Sequence, residues 1–144
     1  MKPENELTME FFSRSCNEAF ARAAVGAFIA PLDPDLEELS DIKTAVSEAV
    51  TNCMVHAYPE KTGTITLQCR VYADRTVELC IRDQGVGIPD VSAAREPMFT
   101  TGGQERSGIG FTIMEKFMSS LQVESQIGTG TTVTMTRRLQ ERGR

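Results

Sequence analysis

Apolar and polar positions recur along most of the chain with a period that changes from segment to segment. Leu7, Met9 and Phe11 alternate with Thr8, Glu10 and Phe12, and this period of two predicts a short first strand. From about Ser15 the spacing of Phe20, Val25 and Phe28 fits a helix that runs to about Ala30 and stops at Pro31-Leu32-Asp33-Pro34. Asp33 followed by Pro34 offers an N-cap and a first-turn residue for a second helix. That helix has the clearest pattern in the chain. Ile42, Ala45, Val46, Ala49, Val50, Cys53, Met54 and Ala57 form one continuous stripe at helical period, ended by Tyr58-Pro59.

Two strands are expected next, Thr64 to Tyr72 and Thr76 to Arg82, joined at Ala73-Asp74-Arg75. Ile65, Leu67, Cys69 and Val71 alternate cleanly, as do Val77, Leu79 and Ile81, so the pair reads as a hairpin with one buried face. From Gln84 to Ser107 the periodicity fails among glycines, prolines and charges, and a stretch of that length in a compact domain reads as a lid or binding loop. A helix from about Gly110 carries Ile113, Met114, Phe117 and Met118. Strands at Leu121 to Gln126 and Thr131 to Arg138 close the chain around Ile127-Gly128-Thr129-Gly130. The order β-α-α-β-β-loop-α-β-β predicts an α/β two-layer sandwich: a mixed, mostly antiparallel sheet covered by helices, as a single domain over residues 1–144.

Composition narrows the possibilities without naming a chemistry. The 144 residues are 40% hydrophobic and 24% charged, enough for a core without metal or disulfide staples. Fifteen basic against twenty acidic residues give a net charge of −5, which argues against nonspecific nucleic-acid binding. Cys16, Cys53, Cys69 and Cys80 form no CxxC pair and read as buried, reduced thiols. Met1 to Met9 lacks an apolar signal region, and the small-apolar run Ala23 to Ala30 is too short to span a bilayer, so a cytoplasmic protein is expected. The Arg137-Arg138 and Arg142-Arg144 cluster reads as a solvated, frayed tail.

Three short patterns carry candidate chemistry. Glu48 and Asn52, four apart on the long helix, project from one face beside the apolar stripe, where they either enter a pocket or form a solvated edge. His56, one turn on, fits either case. Asp83-Gln84-Gly85-Val86-Gly87 follows a buried strand. Its glycines allow close backbone approach to a flat ligand, and its aspartate can accept from an exocyclic amine such as adenine's. Alone, the same pattern is equally a plain strand-to-loop turn. Gly108-Ile109-Gly110 opens a helix, whose free N–H groups and dipole favour phosphate oxygens, although a structural helix entry has the same form. There is no GxxxxGK[ST], so this is not a P-loop.

Together, ExxxN on a helix, DxGxG after a strand and GxG before a later helix resemble the GHKL ATPase superfamily over about Ser40 to Thr134. The resemblance implies an N box at Glu48 and Asn52, a first glycine box from Asp83 to Gly87, and a second at Gly108 and Gly110. It further implies ATP with Mg²⁺, the metal on the Asn52 carbonyl oxygen, adenine on Asp83, and the Gln84-to-Ser107 loop as the ATP lid. Thr131 or Thr132 matches a position that supports adenine, with Thr131 preferred, and Thr101, Arg106 and Ser107 join the nucleotide contacts.

Asn17 to Arg22, Ser47 to Asn52, Met98 to Thr101 and Glu105 to Glu115 are similar, more narrowly, to the bacterial anti-sigma serine kinases, and among these to the sporulation anti-sigma F type. That likeness implies a homodimer that binds a sigma factor and phosphorylates a STAS-type anti-anti-sigma protein on serine, with no direct nucleic-acid or membrane partner. Glu48 would be the catalytic base, and Arg22 a partner contact or an ordinary solvated arginine. The first strand and first helix are the expected dimer face. Gly102-Gly103 stands where the resemblance calls for a lysine and a proline, which loosens the lid and puts a cation there in doubt.

Three other readings compete with the kinase. An ATP hydrolase would use Glu48 to activate water, but the chain ends near Arg144 without a domain to transmit closure. A histidine-kinase module would need a phospho-accepting histidine outside the site, and His56 is the only histidine. A nucleotide-gated binding module would bind ATP and transfer nothing.

Overall fold

A computed structural model describes residues 2–87 and 109–141. The alternating segments form strands: β1 (Asn5–Phe12), β2 (Thr64–Val71), β3 (Thr76–Asp83), β4 (Ser120–Gln126) and β5 (Gly130–Arg138). The helical periods form α1 (Cys16–Ile29), α2 (Leu36–Asn52) and α3 (Ile109–Phe117), with a short 3₁₀ turn at Ala30–Leu32 between the first two. The strands make one sheet in the order β1-β2-β3-β5-β4, antiparallel at every pairing.

Every second residue of β2 and β3 is buried, so Ile65, Leu67, Cys69, Val77, Leu79 and Ile81 share one face. Met135 and Val133 of β5 continue that face by register with Leu79 and Ile81. The helices cover it with Val25, Ile29, Ile42, Val46, Val50 and Met114, and α2 contacts both α1 and α3. Burying such a side chain is worth roughly 1.5–3 kcal/mol, so this single layer of contacts dominates the stability. The other sheet face is polar: Arg70 pairs with Glu6 and Glu78, and the Tyr72 hydroxyl donates to Glu78 at 2.9 Å.

Several expectations need correction. The N-cap of α2 is Asp35, not Asp33. The Asp35 side chain accepts from the Glu38 N–H at 2.7 Å, while Glu38 accepts from the Asp35 N–H at 3.0 Å. This reciprocal pair satisfies two otherwise orphaned donors, which Asp33, left-handed at φ 54°, does not do. The buried Glu38 also accepts from the Gln140 N–H at 2.7 Å and so ties down the end of the chain. Arg137 is not part of a frayed tail: it donates to Asp41 at 2.8 Å and to the Phe117 carbonyl at 2.6 Å. Residues 142–144 lie outside the described residues. All four cysteines are free; Cys53 and Cys69 are buried, Cys80 is half-buried and Cys16 is exposed. Among the described residues, no helix is long and apolar enough to cross a membrane.

Candidate functional site

The stripe on α2 does not continue as a regular helix to Ala57. After Asn52 the backbone widens into a π-type turn, Cys53–Ala57, closed by the Tyr58 N–H donating to the Cys53 carbonyl at 3.2 Å. Such wide turns often sit at functional sites because they re-aim the side chains that follow. Here the turn buries Ala57 and Tyr58 and sets both against the loop after β3. The Ala57 carbonyl accepts from the Val86 N–H at 3.4 Å. A Cβ on Gly85 would stand 2.4 Å from both the Ala57 Cβ and its carbonyl oxygen, so only glycine fits. The Tyr58 hydroxyl donates to the Thr64 carbonyl at 2.9 Å and accepts from the Gln84 N–H at 2.7 Å. The loop is thereby held from both sides.

A small cavity opens between this turn, the end of β3, the start of β5 and α3. Asn52, Cys53, His56, Asp83, Phe111 and Thr131 are among the residues that line it, together with Gly87. Asp83 is buried at the end of β3, and its Oδ1 accepts from the Gly85 N–H at 3.0 Å and the Thr131 N–H at 3.1 Å. Burial pushes its carboxyl up from the ordinary value, while bonds from Gly85, Thr131 and Cys53 pull the other way. Gly87, at φ 82°, has a conformation few other residues adopt and passes the Gln126 carbonyl too closely for a side chain.

The second glycine pattern meets the ExxxN pair directly. A Cβ on Gly110 would lie 3.1 Å from Asn52 Oδ1 and 3.3 Å from Glu48 Oε1, so the opening of α3 packs over both side chains. N–H groups in that first turn have no carbonyl one turn back within the helix, the usual situation at an anion-binding helix start. Asn52 and Glu48 thus bring two hard oxygen donors to the mouth of α3. No cluster of three or more His, Cys, Asp or Glu side chains able to hold a metal exists among the described residues. The Asn52 amide oxygen and the Glu48 carboxylate at this helix start are hard oxygen donors of the type Mg²⁺ takes, and Mg²⁺ needs few of them because it keeps several waters.

The remaining candidates divide by position. Thr131 is buried on the cavity wall and its hydroxyl bonds Ser125 at 2.7 Å, whereas Thr132 alternates to the opposite face of β5. Arg22 lies away from the cavity in a groove between α1 and α2 beside Leu36, Leu39 and Lys43. It pairs with Glu18 at 3.7 Å, and Glu18 accepts from the Ser47 hydroxyl at 2.5 Å. Thr101, Arg106, Ser107 and Gly108, and most of the expected lid, lie outside the described residues. Tyr58 and Phe111 were not anticipated in the site, nor was Cys53, assigned only to the stripe. The one available signal was the apolar stripe passing directly through the ExxxN pair.

Comparison with known proteins identifies the family. The sequence profile described as "Histidine kinase-like ATPase domain" matches residues 15–137. The chain is 51% identical over 138 residues to the anti-sigma F factor of Caldanaerobacter subterraneus subsp. tengcongensis, covering 95% of this chain and 96% of that one. It is 52% identical over 130 residues to the anti-sigma F factor of Geobacillus stearothermophilus, with 90% and 89% covered. Among solved structures it resembles the RsbU and RsbW domains of a Mycobacterium tuberculosis protein, with a TM-score of 0.72 at 23% identity. That match spans 99% of this chain and 34% of the other, and it bears on fold alone. The histidine kinase domain of Erythrobacter litoralis EL346 aligns over 72% of this chain and 45% of its own, with a TM-score of 0.54 at 26% identity. With a profile match across most of its length and half its residues shared with these relatives, the chain belongs to the histidine kinase-like ATPase family, in its anti-sigma F factor branch.

Proposed function

We propose that the protein is a cytoplasmic anti-sigma factor that holds a sigma factor, of the sporulation sigma F kind, and uses Mg-ATP to phosphorylate a STAS-type anti-anti-sigma protein on serine. The observation that carries this reading is that Asn52, Asp83 and Thr131 line one cavity while Glu48 and Gly110 meet at Asn52, in a chain half identical to anti-sigma F factors along nearly its whole length. Adenine enters between Asp83 and Thr131, its exocyclic amine donating to the carboxylate. The phosphates run toward the start of α3, where the amides of Gly108 and Gly110, with Thr101, Arg106 and Ser107 from the lid, hold them. Asn52 would hold Mg²⁺, which when bound would neutralise charge developing on the phosphates.

Phosphoryl transfer needs little covalent help from the protein beyond positioning and electrostatics. Glu48 stands one turn before Asn52, half-buried and beside Gly110, at the helix start assigned here to the phosphates. From there its carboxylate takes the proton of the incoming serine hydroxyl. Loss of a general base costs about 10²–10⁴ in rate. Glu48→Gln therefore keeps ATP affinity and loses most turnover; normal turnover in that variant removes Glu48 from the role.

Partner binding is assigned to the other side of α2. The α1–α2 groove sets the Arg22 and Lys43 cations beside Leu36, which is 85% exposed. Sigma binding by Arg22→Ala as tight as wild type would withdraw that contact. The homodimer face is assigned to β1 and α1. Strand β1 lies at a sheet edge, and Phe12 and Phe20 expose large apolar surface at 60% and 54%. Sedimentation of a Phe12→Asp, Phe20→Asp double variant as a monomer is the expected result, and an unchanged dimer would place the interface elsewhere.

A further inference from the structure

Arg137 sits near the end of β5 and is not among the residues that line the cavity. Its Nη1 donates both to Asp41 Oδ2 at 2.8 Å and to the Phe117 carbonyl at 2.6 Å. Asp41 stands in the first half of α2 and Phe117 is the last residue of α3, so one nitrogen ties the far end of α3 to α2. At its other end α3 meets α2 again, where Gly110 packs over Asn52 and Glu48. The helix therefore runs back along α2 and is gripped at both ends. Both side chains of the ion pair are mostly buried, which limits screening by salt. The Phe117 carbonyl is one that a helix end leaves without an internal donor, and a cation there also suits the helix dipole. The apolar contacts of α3 hold it differently. Phe111, Met114 and Met118 are buried, but such packing is non-directional and methionine adapts to shifts, whereas a charged donor fixes direction and register.

We infer that Arg137 is a positioning residue for the phosphates: by pinning Phe117 to Asp41 it sets the axis of α3, and with it the direction of the amides at the start of that helix. Peptide dipoles lie nearly parallel to the helix axis, so a tilt at one end re-aims the N–H groups at the other. This rests on reading the start of α3 as the phosphate site. Freed from Asp41, the helix can pivot about Gly110, and its amides lose their alignment with a polyphosphate. Asp83 and Thr131 are held to each other through the sheet strands β3 and β5, so the adenine end stays in place. The defect falls on the phosphates and spares the base.

The test is calorimetric binding of ATP and of adenosine, which lacks the phosphates, to wild type, Arg137→Met, Arg137→Lys and Asp41→Ala. Wild type binds ATP more tightly than adenosine. Arg137→Met keeps an apolar stem and loses both bonds, and Asp41→Ala leaves the Phe117 bond but unties α3 from α2. Each narrows the ATP-over-adenosine ratio by about five- to ten-fold, the scale of weakening one hydrogen bond to a charged group. Arg137→Lys, whose ammonium has hydrogens for both acceptors, restores most of the ratio. The ratio is taken within each protein, so a change in folded fraction cancels, and Asp41→Ala carries the test if Arg137→Met folds poorly. A ratio unchanged from wild type in either Arg137→Met or Asp41→Ala is what a purely structural clasp gives, and it overturns the inference. An Arg137→Lys ratio as narrow as that of Arg137→Met overturns it too. A wild type that binds ATP no more tightly than adenosine overturns the phosphate reading itself, and the role of Arg137 with it.

Discussion

The Thr131 N–H donates to Asp83 Oδ1 at 3.1 Å, joining the start of β5 to the end of β3 across 48 positions of sequence. The same oxygen accepts from Gly85, so the carboxylate that faces the cavity is oriented by backbone from two separate motifs. Asp83→Asn keeps an acceptor for these amides and replaces the other oxygen with a donor, opposing the adenine amine. ATP affinity is expected to fall by about 100-fold or more, because a buried donor is left facing a donor. Titration with a fluorescent ATP analogue measures this, and near-normal binding would place adenine elsewhere.

The raised Asp83 carboxyl predicts opposite pH trends for folding and for binding. The folded chain holds this proton more tightly than the unfolded chain does. Its contribution to stability is therefore fully present below the unfolded carboxylate value and is lost as pH rises through the raised folded value. Ionising Asp83 is a cost to folding, so wild type loses stability relative to Asp83→Asn as pH rises from the ordinary carboxylate range through the raised folded value. Urea denaturation of both proteins over a pH series that begins in the ordinary carboxylate range measures the trend. ATP binding needs the ionised form and weakens on acidification, beginning above the range in which exposed carboxylates titrate.

Gly85 and Gly110 separate fold from function. An alanine Cβ at Gly85 meets the Ala57 backbone at 2.4 Å, where nothing can yield cheaply, and costs about 1–3 kcal/mol. At Gly110 the neighbours are the ends of the Asn52 and Glu48 side chains at 3.1 to 3.3 Å, which can move aside. Gly110→Ala is expected to keep its melting temperature within a few degrees while turnover drops by about ten-fold or more, because the displaced groups are those the proposed mechanism uses. Thermal melts beside ATP turnover distinguish the two variants.

Most of the fold was legible because its signals are local. Period-two alternation located β2 and β3 to within a residue, and the stripe from Ile42 to Val50 set the buried face of α2. Asp33 misled because Pro34 marks a helix start by composition, while the capping pair of Asp35 and Glu38 decides it by hydrogen bonding. Arg137 misled because its partners, Asp41 and the Phe117 carbonyl, are distant in sequence. The site divides in the same way. Glu48, Asn52, Asp83 and the glycines belong to short motifs, whereas Tyr58 and Cys53 act through a wide turn that continues a helical stripe and has no signature of its own.

Tyr58→Phe tests that turn directly. It removes the hydroxyl that bridges the Thr64 carbonyl and the Gln84 N–H and leaves both without this partner. A loss of about 1–2 kcal/mol in urea denaturation is expected, with weaker ATP binding because the loop that follows Asp83 is freed on one side. Unchanged stability would show that water replaces the hydroxyl without cost.

Phosphate transfer to a protein is the most direct test of the proposed activity. Purified protein is incubated with Mg²⁺ and γ-labelled ATP, with and without an anti-anti-sigma protein from the same genome, alongside Glu48→Gln and Asp83→Asn. Label is expected on a serine of the added protein with wild type, and to be absent or nearly so with either variant. Bound ATP with label only in free phosphate, or with no label moved at all, would contradict the kinase reading and leave a hydrolase or a nucleotide-gated binding protein.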